Sequence, residues 1–254
     1  MLRFSCFSLA LFLAAFSGFS IAADQPVYEM RTYTCAPGKL EALQTRFRDH
    51  TCRLFEKHGM RNIAYWTPTD GDNAANTLIY VLEHKSRDAA KASWAAFRSD
   101  PDWKAVAAKS EADHGKILAK APESVYMATT DYSPDVGPVD PKLLYELRVY
   151  VTNEGKLDAL QARFRDHTCG LFRKHGIQNV AYWMPLDKPA SANTLIYIVA
   201  HSDRESAQAN FKAFGSDPDW QTARRASEAE GPLLSSRPQS TFMRTTDFSP
   251  LPAK

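Results

Sequence analysis

Tyr28-Glu29-Met30-Arg31-Thr32-Tyr33 returns, 117 residues later, as Tyr145-Glu146-Leu147-Arg148-Val149-Tyr150. The correspondence extends outward from this pair in one register. Residues 46–52 (RFRDHTC) recur unchanged at 163–169, Lys57-His58-Gly59 as Lys174-His175-Gly176, and Ala64-Tyr65-Trp66 as Ala181-Tyr182-Trp183. Residues 76–80 (NTLIY) match 193–197, and 99–103 (SDPDW) match 216–220. The offset then falls to 116, pairing Thr129-Thr130-Asp131 with Thr245-Thr246-Asp247, with His114 as the extra residue. Roughly half of the aligned positions are identical, which marks a tandem duplication; two copies are too few for a solenoid, which needs at least ~3. The first copy is read as residues 24–131 and the second as 143–254. Residues 132–142 (YSPDVGPVDPK), rich in proline and acid, form the linker.

Each copy reads as β-α-β-β-α-β. In the first, residues 27–34 are β-branched and aromatic and predict a strand. Pro37-Gly38 turns the chain, and Leu40, Leu43, Phe47, Thr51, Leu54 and His58 follow at helical spacing until Gly59 stops the helix. Residues 60–66 and 77–82 predict two more strands around a polar loop. Ser86 can cap a second helix carrying Trp94 and Phe97, and Asp100-Pro101 can open a further one. Residues 125–128 close the unit. This order is the ferredoxin-like split βαβ, whose helices cover one sheet face only. The fold expected is therefore α+β, two tandem ferredoxin-like units packed sheet to sheet within one chain, with helices outside.

The chain has 254 residues, 44% apolar and 24% charged, with 31 Lys+Arg against 29 Asp+Glu and a formal net charge of +2. These values suit a globular protein and argue against a disordered or multi-pass membrane chain. Bases are interleaved with acids, so no basic stripe points to nucleic acid. Residues 1–23 have the layout of a secretory signal peptide: Arg3, an apolar run from Phe4 to Phe19, then small residues ending in Ala22-Ala23. The run is shorter than the ~20 residues of a membrane span. A secreted, periplasmic location without a lasting membrane anchor is expected. Cys35, Cys52 and Cys169 then remain, an odd number with no CxxC or zinc spacing. On the helical wheel Cys52 lies more than about 90° from the centre of the buried stripe, as does Cys169, so both thiols are expected outward and unpaired.

The ordered motifs Tyr-Glu-(Met/Leu)-Arg-x-Tyr, Gly-Lys-Leu, Phe-Arg-Asp-His, Lys-His-Gly, Tyr-Trp, Asp-Pro-Asp-Trp, Ser-Glu-Ala and Thr-Thr-Asp-(Tyr/Phe)-Ser-Pro resemble the NIPSNAP domain, across both copies. The resemblance implies the dimeric α/β-barrel fold. It implies little chemistry, because the family has no agreed reaction or catalytic residue set. Its better-known members are mitochondrial and linked to vesicle or organelle quality control, a setting that a secretory leader departs from. The wider fold includes small monooxygenases, haem-degrading enzymes and isomerases, a weak warrant for function.

Glu29, Arg31 and Tyr33 alternate and share a strand face, as do Glu146, Arg148 and Tyr150. This polar face is expected to point between the copies, with Tyr145, Leu147 and Val149 beneath the helices. There the charges form either an ion-pair network that docks the halves or an anion site lined by Arg31, Tyr33, Arg148 and Tyr150. Tyr65-Trp66 and Tyr182-Trp183 end a strand and can line a pocket mouth. His50 and His167, on the flank of the first helix, are the candidate general bases or haem ligands. His50 and His58 lie ~12 Å apart along a helix and cannot share a metal, and no HExxH occurs. GxSxG, P-loop and GxGxxG are absent from the sequence. The reading favoured is small-ligand or partner binding with no cofactor; the alternative is a cofactor-free or haem-dependent oxygenase- or isomerase-like enzyme. Further association into homo-oligomers stays open. The loops 67–75 and 184–192 differ most between copies, and if a site exists in one half only, these loops are where it belongs.

Overall fold

The computed structural model describes residues 26–72 and 74–252, so the signal-peptide reading lies outside the described residues. The first copy runs β1 (Val27–Thr34), α1 (Leu40–Arg46), α2 (Cys52–Lys57), β2 (Arg61–Pro68), β3 (Thr77–His84), α3 (Arg87–Ser99), α4 (Pro101–His114) and β4 (Glu123–Thr129). The second repeats it as β5 (Leu144–Val151), α5 (Leu157–Arg163), α6 (Cys169–Lys174), β6 (Gln178–Pro185), β7 (Thr194–His201), α7 (Arg204–Ser216), α8 (Pro218–Ser227) and β8 (Gln239–Thr245). The caps fall where the sequence puts them. Ser86 Oγ accepts from the Ala89 amide at 3.1 Å, and Asp100 Oδ1 from the Asp102 amide at 2.8 Å. Each satisfies an amide that the first helical turn leaves unpaired.

Within each copy the strand order is that of a ferredoxin-like sheet, β4-β1-β3-β2 and β8-β5-β7-β6. The two sheets do not stack as separate layers. They join edge to edge, β2 to β8 (Trp66 opposite Thr245) and β4 to β6 (Thr129 opposite Trp183), and close one eight-stranded antiparallel barrel. The physical reason is edge satisfaction. A free four-stranded sheet leaves two rows of unpaired amides and carbonyls, and closure removes both rows. The barrel interior is apolar and aromatic, with Tyr28 and Met30 from one copy meeting Tyr145 and Leu147 from the other. Trp66 packs on Tyr145 with ring centroids 5.9 Å apart, and Trp183 on Tyr28 at 6.1 Å.

Closure is reinforced by an exchange of tails. After β4, Ser133 Oγ accepts from the Tyr182 amide at 3.0 Å, Tyr132 packs on Tyr182, and both carboxylate oxygens of Asp131 accept from Arg165 at 2.7 Å. After β8, Ser249 accepts from the Tyr65 amide at 3.1 Å, Phe248 packs on Tyr65, and Asp247 accepts from Arg48 at 2.8 and 2.9 Å. The repeated Thr-Thr-Asp-(Tyr/Phe)-Ser-Pro and Arg-Phe-Arg-Asp-His-Thr motifs thus grip one another across the copies. The linker returns over one barrel end, where Val139 is buried and the Asp140 carbonyl accepts from Tyr145 Oη at 2.7 Å.

The first helix departs from its sequence reading. Between α1 and α2 lies a π-helical turn, Phe47–Thr51, repeated as Phe164–Thr168. Thr51 Oγ1 donates to the Arg46 carbonyl at 3.1 Å, and Thr168 to Arg163 at the same distance, satisfying a carbonyl that the wider turn displaces. A π turn adds a residue to the helical repeat and rotates everything after it. Phe55 and Phe172 are therefore buried, Cys52 is half-buried and Cys169 buried, rather than facing outward. Among the described residues Cys35, Cys52 and Cys169 are unpaired, as expected of the latter two, and burial pushes each thiol up to about 11.

Because Trp66 and Trp183 bridge the copies inside one barrel, Trp66→Ala should cost ~3–5 kcal/mol. The variant should still unfold in a single denaturant transition followed by both near- and far-ultraviolet circular dichroism. A biphasic curve, with one half persisting, would contradict a barrel built jointly.

Candidate functional site

The orientation of the polar strand face is the reverse of the sequence reading. Glu29, Arg31 and Tyr33 point away from the barrel, beneath the helices of their own copy, while Tyr28, Met30 and Thr32 point inside. Glu29 is fully buried and accepts four hydrogen bonds: Arg31 Nη1 at 2.6 Å, Ser124 Oγ at 2.6 Å, Trp94 Nε1 at 2.6 Å and His84 Nε2 at 3.0 Å. Burial alone would raise its carboxyl. The bond from His84, the Arg31 charge and the bonds from Ser124 and Trp94 outweigh burial and bring it down to about 2. Glu146 repeats the arrangement with Arg148, His201 at 3.2 Å and Ser240 at 2.5 Å, and its carboxyl is likewise lowered. Phe211 stands where Trp94 stands, so the fourth donor is missing there. In the first copy Trp94 ties this network to α3, whereas the donors to Glu146 all lie on strands β5, β7 and β8. Neither network docks the halves, and Arg31 and Arg148 do not share a site.

The remaining candidates are also dispersed. Tyr65 and Tyr182 are buried in the helix-facing layers, each donating through Oη to Asn62 or Asn179. Trp66 and Trp183 lie inside the barrel. Tyr33 and Tyr150 edge against Phe47 and Phe164 under the helices. His50 and His167 are exposed on the outer surface, not on the flank of a buried stripe, because the π turn rotates them outward. His50 borders an open groove of about 390 Å³ between α1 and α4, with Arg46 and His114. In the second copy α8 ends four residues sooner, and Glu228 folds onto Arg163 at 3.0 Å. His58 is occupied in capping: its Nε2 meets Asp100 Oδ2 at 2.6 Å, and Lys57 and His58 hold that carboxyl well below the usual range. Among the described residues, no group of three or more His, Cys, Asp or Glu side chains is placed to hold a metal ion.

A larger space than that groove is one the site reading missed. At the barrel end opposite the linker, a cavity of about 890 Å³ opens between the two copies. Its walls come from the inner faces of both first strands (Met30, Thr32 and Thr34; Leu147, Val149 and Val151) and of β3, β4, β7 and β8. The aromatic plug stops short of this end, so the later inward residues Thr32, Val149 and Val151 are only half-buried. Asp70, Asp72, Lys120 and Glu123 stand at the rim. Both variable loops contribute, through Asp70, Gly71, Asp72 and Ala74 and through Pro185 and Ala190. Each loop is tied to the other copy: Asp70 accepts from Arg204 at 2.5 Å and Asp187 from Arg87 at 2.9 Å.

The NIPSNAP family model matches residues 28–134 and 145–250, nearly all of the described chain. The protein belongs to the NIPSNAP family. No functionally curated protein matches it. Among solved structures, a monooxygenase candidate from Lactobacillus acidophilus aligns over 87% of this chain and 94% of its own, at 10% identity and TM-score 0.54. An anthrone oxidase-like protein aligns over 88% and 92%, at 12% identity and TM-score 0.55. An uncharacterised NIPSNAP-domain protein from Burkholderia xenovorans aligns over 43% of this chain and 99% of its own, at 22% identity and TM-score 0.37. The two longer alignments show that this NIPSNAP chain shares its overall fold with those proteins. They say nothing of its chemistry.

The lowered Glu29 carboxyl makes stability depend on acid. The folded group ionises near 2 and the unfolded one near 4.5, so its contribution is complete above the latter and is lost as pH falls toward the former. Denaturant midpoints should decline through that window in the wild type and less steeply in Glu29→Gln. At neutral pH, Glu29→Ala should cost ~3–5 kcal/mol by leaving Arg31 buried without its partner. Parallel pH slopes for the wild type and Glu29→Gln would contradict this role.

Proposed function

We propose that this NIPSNAP protein binds a small, predominantly apolar molecule in the open end of its barrel, acting in the periplasm after removal of its leader. The observation that carries the reading is the cavity of about 890 Å³ built by both copies. That size falls within the ~300–1,000 Å³ of small-molecule sites. Met30, Ile79, Val125, Leu147, Val149 and Ile196 supply apolar wall, and the hydroxyls of Thr32, Thr34, Thr77, Thr194 and Thr241 supply points of orientation. The charged rim keeps the mouth wet while the walls favour an apolar guest.

The alternative, an oxygenase- or isomerase-like enzyme relying on His50 or His167, has weaker support. Both histidines lie on the outer surface, away from any water-excluding space. The donor set also fits haem poorly, since no histidine or cysteine lines the barrel cavity, and the buried His84 and His201 are bound to Glu29 and Glu146.

The test is a cavity-filling change. Titration with an uncharged, environment-sensitive naphthylamine dye should give saturable binding to the wild type. Val149→Trp should weaken it at least about tenfold, with the far-ultraviolet spectrum unchanged. Equal affinity in the two proteins would refute the site.

A further inference from the structure

A second space lies outside the barrel and belongs to the first copy alone in its chemistry. It is a cavity of about 360 Å³ between α3 and the β1–β4 pair. Arg87, Lys91, Trp94 and Arg98 fall on one face of α3 at helical spacing, and Arg31 from β1 and Tyr126 from β4 complete the lining. Four cations face two acids, Glu29 and Asp88. Glu29 is already enclosed by its four donors. Arg87 pairs with Asp187, and among the described residues neither Lys91 nor Arg98 has an ion-pair partner. Like charges one turn apart on a helix, as at Arg87 and Lys91, cost a few tenths of a kcal/mol unless an anion lies between them.

Two of the guanidinium groups are held by rings. Arg31 lies over Trp94 at 4.4 Å from the centroid, and Arg87 over Tyr126 at 3.7 Å. Stacking fixes the planar fork that recognises phosphate and carboxylate oxygens. Arg31 Nε is also buried without a hydrogen-bond partner. In the second copy the α3 stripe becomes Arg204, Gln208, Phe211 and Gly215, and Tyr126 becomes Phe242. Two cations, the indole and the phenol are thus absent from otherwise matching positions, three on α3 and one on β4.

We propose that this face of the first copy is a binding site for a phosphate monoester carrying a flat organic group. Lys91 and Arg98 supply the two unpaired charges that a dianion matches, and Arg31 and Arg87, held by Trp94 and Tyr126, supply directional donors and the guanidinium planes on which a flat group can stack. The site is separate from the barrel cavity and does not depend on it.

Isothermal titration calorimetry of the full-length mature protein with phenyl phosphate, at low salt and pH 7.5, tests the assignment. The expected result is one saturable site with a dissociation constant below about 1 mM. Lys91→Gln combined with Arg98→Gln should weaken it at least tenfold; both positions are exposed, so the fold is unaffected. Arg224→Gln, on α8 of the second copy, should leave it unchanged. Affinity should fall as salt is raised, as charge recognition at an open site requires. Absence of saturable binding, affinity that survives the double substitution, or loss on Arg224→Gln would each overturn the proposal.

Discussion

Neither half of this protein can complete its own sheet, and everything else follows from how the halves complete each other. Each copy ends in a strand whose tail crosses to its neighbour, where a serine accepts a backbone amide, an aromatic ring fills the helix layer and an aspartate meets an arginine on both oxygens. The ion pairs are exposed and each contributes little, ~0–1 kcal/mol. What they fix is register. With Trp66 opposite Thr245 and Thr129 opposite Trp183, the barrel closes in one way only, because a one-residue slip would send every inward side chain to the other face.

That closure explains where the two copies agree and where they part. The motifs that make the junction, the π turn and the Asp100 and Asp217 caps are the same or nearly the same in both copies. Divergence gathers at the loops around the open barrel end and along α3. A duplicated chain held in one barrel can vary one copy's outer helix without disturbing the other, since the Glu29 and Glu146 networks are each internal to a copy. The exchange of Trp94 for Phe211 is an example: it removes one donor to a buried carboxylate and leaves the remaining contacts intact.

Fold and topology were legible in the sequence because repeats, periodicity and caps are local signals that the final structure respects. Strand β1, the caps at Ser86 and Asp100 and the crossover order all fall where the residues place them. The direction of the β1 faces was not legible. Glu29-Arg31-Tyr33 and Tyr28-Met30-Thr32 both alternate, and alternation cannot say which set lies under helices. The deciding partners, His84, Trp94 and Ser124, are distant in sequence. Outward cysteines followed from an unbroken 3.6-residue wheel, and the π turn at Phe47–Thr51 invalidates that wheel; the only sequence trace is Thr51, placed to satisfy the Arg46 carbonyl. The candidate site suffered the same inversion. Its tyrosines and arginines are packing and pairing residues, while the cavity is lined by threonines and valines that carry no motif. Both variable loops border its mouth, which belongs to the two halves jointly and not to one of them.

The proposed ligand site is a single space enclosed by both halves. Native mass spectrometry of the mature protein, isolated gently from its own compartment, tests it most directly. A ligand held there should appear as a single excess mass per chain that is lost on denaturation. Bare protein mass, together with failure of the isolated protein to take up any apolar molecule from an extract of that compartment, would contradict it.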